Sequence, residues 1–189
     1  MPEAIGRINI AGYRTRRMCT GTLVWPDLVL TAAHCLRDPR SGRDFDPARV
    51  NFVAGWSQGD YAAHARGVEV LAPSGAPALA RDAALVRLPG PVDIAPIPVA
   101  AAPAPGTAVT VVSYARSRPH LPARADCTVI RRQGPVFGLD CPAEPGQSGA
   151  PVLVRAGEEW RLAGILSARA DGTAGIGSYA VALDPAAFR

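Results

Sequence analysis

The 189-residue chain is 48% apolar and carries a formal net charge of +4, so it can bury a core as one domain or two small halves and is not a disordered chain. All 20 of its basic residues are arginines, and they read as scattered through loops without aromatic partners. That distribution lends little support to a nucleic-acid surface, and no nucleic-acid partner is expected.

No stretch approaches the roughly 18 uninterrupted apolar residues of a membrane span, and the start "MPEAIGRINI" lacks the basic and apolar regions of a secretory signal. A soluble protein is expected. Cys19, Cys35, Cys127 and Cys141 form no CxxC pair and no short cluster with histidine, which argues against a metal site. Two disulfides are the better reading. They imply an oxidising compartment, so a periplasmic or secreted location is expected, with the export signal absent from the sequence.

In chain order, "AIGRINIAG" reads as a first strand. "CTGTLV", "DLVLTA", "VEVLA", "AALVRL", "AVTVVSY", "CTVIRR", "VFGLDC", "PVLVRA", "WRLAGILS" and "SYAVAL" follow, each short, rich in Val, Leu, Ile and Thr, and bounded by Gly, Pro or Asp. That rhythm predicts an all-β barrel or sandwich. Nineteen prolines and nineteen glycines leave room for only brief helical turns, at "TAAHCLRD" and "DPAAFR". The uncharged stretch "VAAAPAPGTA" at 99–108 reads as a connector between halves at 1–98 and 109–189, the second ending in a short tail.

Three segments carry candidate chemistry. "TAAHC" sets His34 just after a predicted strand, and a Cys19–Cys35 bridge would fix the loop that holds its imidazole. Taken alone, an isolated histidine is more often structural or on the surface, which is the reading kept for His64 and His120. "RDAALVRL" puts Asp82 at the start of an apolar strand. Alone it is a solvated strand-end carboxylate; buried beside an imidazole it would fix the tautomer. "GQSGAP" flanks Ser148 with Gly146 and Gly149 in a tight turn that can aim the amides of Gly146 and Ser148 at one point, an oxyanion hole.

Together the three blocks, in the order His34, Asp82, Ser148, resemble the chymotrypsin-like serine proteases, over Cys19 to about Tyr179. An α/β-hydrolase would need the order Ser, acid, His, which the chain does not offer. The resemblance implies two six-stranded antiparallel β-barrels with the active site in the crevice between them. His34 and Asp82 would come from the first barrel and Ser148 from the second. It further implies a serine endopeptidase acting on a protein or peptide substrate as a monomer, with no cofactor and no metal. In "LAGILSARA", Ser167 would lie near the triad and Ala168 and Arg169 along the cleft wall; Gly177 would sit in the pocket wall.

Pro142 stands six residues before the nucleophile, where trypsin-like enzymes carry an acid, so a preference for Arg or Lys by that route is disfavoured. Arg169 either pairs with an acidic substrate side chain or points to solvent, and Glu144 either lines the pocket or caps a loop. The alternative to an enzyme is a catalytically silent binding module on the same fold.

Gln147 departs from the zymogen-activated branch, in which an Asp before the serine pairs with a newly cut N-terminal ammonium. A neutral amide cannot form that ion pair, so neutral hydrogen bonds are expected to hold the oxyanion loop, as in bacterial relatives with Asn there. Cys127 and Cys141 lie on consecutive strands around "RQGP", where a bridge would staple a hairpin just before the nucleophile loop.

Overall fold

The computed structural model describes residues 2–12, 15–73 and 78–183. Its short β-branched runs form antiparallel strands, because Gly and Pro between them stop each run before a helix can nucleate. Ile5–Gly12 (β1), Thr15–Trp25 (β2), Leu28–Thr31 (β3), Val50–Ala54 (β4), Ala63–Arg66 (β5), Glu69–Leu71 (β6) and Ala84–Arg87 (β7) make one sheet, ordered β5-β4-β1-β2-β3-β7-β6. Ala108–Ala115 (β8), Arg118–Gln133 (β9), Val136–Leu139 (β10), Pro151–Ala156 (β11), Glu159–Arg169 (β12) and Ser178–Val181 (β13) close into a barrel, ordered β10-β13-β12-β11-β8-β9.

The sequence implied six strands in each half. The second half has six, and the first has seven among the described residues. The difference arises at Gly67. Its amide donates to Val50 O at 2.9 Å, and the next amide, Val68 N, donates to Arg87 O at 2.8 Å. β5 and β6 are therefore consecutive pieces of one run, paired with β4 before the bend and with β7 after it. A Cβ at position 67 would lie 2.7 Å from Val86 Cγ1 and 2.9 Å from Pro47 O, so the corner requires glycine.

β7 ends at Arg87 and β8 opens at Ala108. Between them the chain is tied first to the N-terminal half (Ile97 N to Leu23 O, 3.0 Å) and then to β12, where Ala100 N donates to Leu162 O and Leu162 N to Pro98 O, both at 2.8 Å. The crossing thus falls at the uncharged stretch. One buried cluster joins both halves: Leu23, Leu30, Phe52 and Leu85 pack in the same core as Val112, Tyr114, Leu153 and Ile165. The expected turn in "TAAHCLRD" is a single 3-10 turn, Ala33–Cys35. The turn expected at "DPAAFR" lies outside the described residues.

Candidate active site

β3 and β7 pair directly, Thr31 opposite Ala84, and this register sets the ends of two distant segments side by side. From the end of β3 the 3-10 turn presents His34, and Asp82 lies two residues before β7. His34 Nδ1 lies 2.7 Å from Asp82 Oδ2, while the His34 amide donates to Asp82 Oδ1 at 2.8 Å. Ser167, on β12 of the other half, donates its hydroxyl to the same Oδ2. Three donors converge on a carboxylate whose side chain is 5% exposed, which offsets the cost of burying it. An Nδ1–H donated to Asp82 leaves the Nε2 lone pair without a proton, 3.8 Å from Cys35 Sγ on an imidazole that is 33% exposed.

Ser148 follows in the loop between β10 and β11. Thr20 N donates to its carbonyl at 2.9 Å, and Cys35 Sγ stands 3.9 Å from that carbonyl and 3.8 Å from His34 Nε2, so the Ser148 loop and the imidazole share one neighbour. Ser148 Oγ makes no hydrogen bond among the described residues. In unliganded hydrolases such bonds are often long and tighten only on substrate.

The loop around Ser148 is held by neutral bonds, as the sequence led us to expect. Gln147 Oε1 accepts from Glu144 N at 2.9 Å, and Gln147 Nε2 donates to Ser113 Oγ on β8 at 2.9 Å. Arg116 N holds the Pro145 carbonyl at 2.8 Å and Ala150 N holds the Gln147 carbonyl at 3.0 Å. In a planar trans peptide the N–H points opposite to the carbonyl. Gly146 N–H and Ser148 N–H, the other ends of those two peptides, are thus turned away from the anchors. Neither donates to any acceptor among the described residues.

Gly146 (φ 102°) and Gly149 (φ 81°) both require the freedom of glycine. A Cβ at 146 would come within 2.6 Å of Met18 Cε, and one at 149 within 2.9 Å of Ala32 N. Thr20, which sequence reasoning missed, is fully buried at the seam. Its hydroxyl accepts from Tyr114 N at 3.0 Å and donates to Gly146 O at 3.2 Å. No local pattern in "CTGTL" marks it, because its partners lie about a hundred residues away.

A cleft of about 210 Å³ beside Ser148 is lined by Ala143, Glu144, Leu166, Ser167, Ala168 and Arg169. Glu144 does both things the sequence left open: it lines this cleft, and its carboxylate accepts from Ser117 Oγ at 2.6 Å. Pro142 and Gly177 do not line it. They pack on each other, a Cβ at 177 falling 2.8 Å from Pro142 N. His64 is an exposed residue 3.2 Å from Asn51 Oδ1, and His120 is exposed 6.1 Å from the Trp56 ring.

Both expected disulfides are present, Cys19–Cys35 and Cys127–Cys141. Asp140 lies close to the second, but a disulfide lacks the thiolates a metal would need.

Two antiparallel β halves with an imidazole–carboxylate pair at their seam define the class of double-barrel, chymotrypsin-like serine proteases. The chain belongs to the trypsin-like peptidase domain family, whose model matches residues 19–165. Among solved structures it is similar to a Glu endopeptidase in complex with MPD (18% identity, TM-score 0.82, covering 97% of this chain and 86% of that one). It is also similar to the thermostable serine protease AL20 from an extremophilic microorganism (16% identity, TM-score 0.78, covering 95% and 91%). No curated protein matches the chain by sequence.

Proposed function

We propose that the chain is a serine endopeptidase working through His34, Asp82 and Ser148. Ser148 Oγ attacks the scissile carbonyl while His34 Nε2 takes its proton. Asp82 orients the ring and stabilises the imidazolium that forms. The amides of Gly146 and Ser148 receive the oxyanion. The imidazolium then protonates the departing amine, leaving an acyl-enzyme on Ser148 that water hydrolyses by the same route in reverse. The first half, 1–98, supplies base and orienting acid; the second, 109–189, supplies nucleophile and oxyanion donors. No metal or cofactor enters these steps.

The supporting observation is the pairing of two features: a buried Asp82 accepting from His34 Nδ1, and two amides without acceptors flanking Ser148. The two disulfides fit an extracellular or periplasmic protein. The test is labelling with a fluorophosphonate followed by peptide mass spectrometry. An adduct on the Ser148 peptide, lost in His34→Ala, is expected. An unlabelled native protein would overturn the reading and leave a silent binding module.

A further inference from the structure

Thr20, on β2, is 0% exposed, so each of its polar groups needs a partner, and each finds one. Its amide donates to Ser148 O at 2.9 Å, and its carbonyl accepts from Thr31 Oγ1 at 2.8 Å. Its hydroxyl accepts from Tyr114 N at 3.0 Å, which leaves one proton to donate. Gly146 O stands at 3.2 Å and Tyr114 O at 3.5 Å, so the nearer Gly146 carbonyl takes that proton.

The carbonyls of four consecutive residues in the Ser148 loop are thereby held: Pro145 O by Arg116 N, Gly146 O by the Thr20 hydroxyl, Gln147 O by Ala150 N, and Ser148 O by Thr20 N. The first and third belong to the peptides that carry the Gly146 and Ser148 N–H groups. The second belongs to the peptide between them. Because a peptide unit is planar, fixing Gly146 O fixes the rotation from one free amide to the next. Gly146 itself, at φ 102° and without a side chain, does little to restrict that rotation. The other end of the middle peptide, Gln147 N, donates to Glu144 O at 3.2 Å, a partner within the same loop. The Thr20 hydroxyl is therefore the tie that fastens this peptide to a strand.

Thr22, two residues further along β2, supplies a contrast. It is equally buried, yet its hydroxyl has no hydrogen-bond partner among the described residues.

We infer that the Thr20 hydroxyl is a latch on the oxyanion loop, a positioning residue that keeps the Gly146 and Ser148 amides aimed at one point. The inference rests on the peptidase reading and adds to it a residue from outside the three sequence blocks. Fully buried, Thr20 reaches no substrate and acts through Gly146. Its loss weakens stabilisation of the transition state while leaving substrate binding in place.

The test compares Thr20→Val, which keeps the shape and loses the hydroxyl, with Thr20→Ser, which keeps the hydroxyl, and with Thr22→Val. Thr20→Val also strands Tyr114 N, which lowers stability, so kinetics are read where circular dichroism shows the variant folded. There kcat is expected to fall about 10- to 100-fold with KM little changed, short of the roughly 10²–10³-fold loss of a donor removed outright. Thr20→Ser should recover most of that loss, and Thr22→Val should keep native kcat. The midpoint of the pH profile set by His34 should stay in place in all three. Amide NMR signals of Gly146, Gln147 and Ser148 should be single in the native protein and in Thr20→Ser, and doubled or broadened in Thr20→Val. Native kcat or single loop signals in folded Thr20→Val would overturn the latch. The native protein alone gives a further check: the Thr20 hydroxyl proton should be shielded enough to show its own signal, and one exchanging freely with water overturns the latch with no variant made. A native protein that cuts nothing, with loop signals that double in Thr20→Val, upholds the latch and removes the peptidase; cutting that survives Thr20→Val undiminished does the reverse.

Discussion

Gln147 Nε2 donates to Ser113 Oγ at 2.9 Å, and through this bond the loop carrying Ser148 is fastened to β8 by a neutral side chain. The other end of the same amide receives Glu144 N. Gln147→Ala leaves both partners without their bonds, and kcat is expected to fall roughly 10- to 100-fold, less than outright loss of an oxyanion donor. Gln147→Asp should be worse than Gln147→Ala, because it sets a charged carboxylate against the buried Ser113, at a cost in solvation. A few residues added ahead of Met1 should leave activity in place. Steady-state kinetics normalised by fluorophosphonate titration read all three. Higher activity in Gln147→Asp, or loss on extension, would show that an N-terminal ion pair is needed.

Asp82 joins the halves, holding His34 from one and Ser167 from the other. Asp82→Asn presents an amide where a carboxylate accepted from Nδ1, favouring the wrong tautomer; kcat is expected to drop about 10⁴-fold with the fold intact. Ser167→Ala keeps the carboxylate and both histidine donors, so a loss of about tenfold or less is expected, the scale of one hydrogen bond. Equal losses in the two variants would contradict the ranking. Circular dichroism separates misfolding from lost chemistry.

What the sequence revealed, and what it hid, follows from the range of the interactions. "TAAHC", "RDAALVRL" and "GQSGAP" are legible because each is a local conformation with its own signature: a strand end, a strand start, a turn between glycines. β4 and β5 escaped notice, "VNFVA" for brevity and "AHAR" for its small, weakly β-forming residues. The first half of β9 was hidden by Pro119 and Pro122, which speak against a strand yet sit in one at a shifted register against β8. Ser113 and Thr20 had no local signal. Each acts on a loop more than thirty residues away, visible only once both sheets are built.

The two disulfides should differ in what they protect. Cys127–Cys141 closes β9 onto the end of β10 with a separation of 14 residues; removing it should cost about 3 kcal/mol in the chain-entropy account. Cys19–Cys35 spans 16 residues and touches both His34 and the Ser148 carbonyl. Replacing that pair with alanines should cost similar stability and also lower kcat at temperatures where the variant is fully folded. Urea unfolding together with kcat at low temperature distinguishes them. Equal kcat in the two double variants would mean that the first bridge does not position the imidazole.

Tyr114 gives the seam a pH signature. Its ring is buried between the halves, its hydroxyl donates to Trp56 O at 2.8 Å, and burial raises its pKa to about 12, against a smaller downward pull from Arg7. Below the ordinary tyrosine pKa of about 10 the phenol is neutral whether the chain is folded or not, so its contribution to stability is fully present. Between pH 10 and about 12 the unfolded chain ionises first, and that contribution is lost as pH rises through the folded value. A phenolate absorbance titration of the native protein, minus that of Tyr114→Phe, should therefore isolate one component with a midpoint near 12. At neutral pH the same variant should be less stable by about 1 kcal/mol, because Trp56 O loses its donor. A difference component centred near pH 10 would mean that Tyr114 is open to water and that the halves do not close over it.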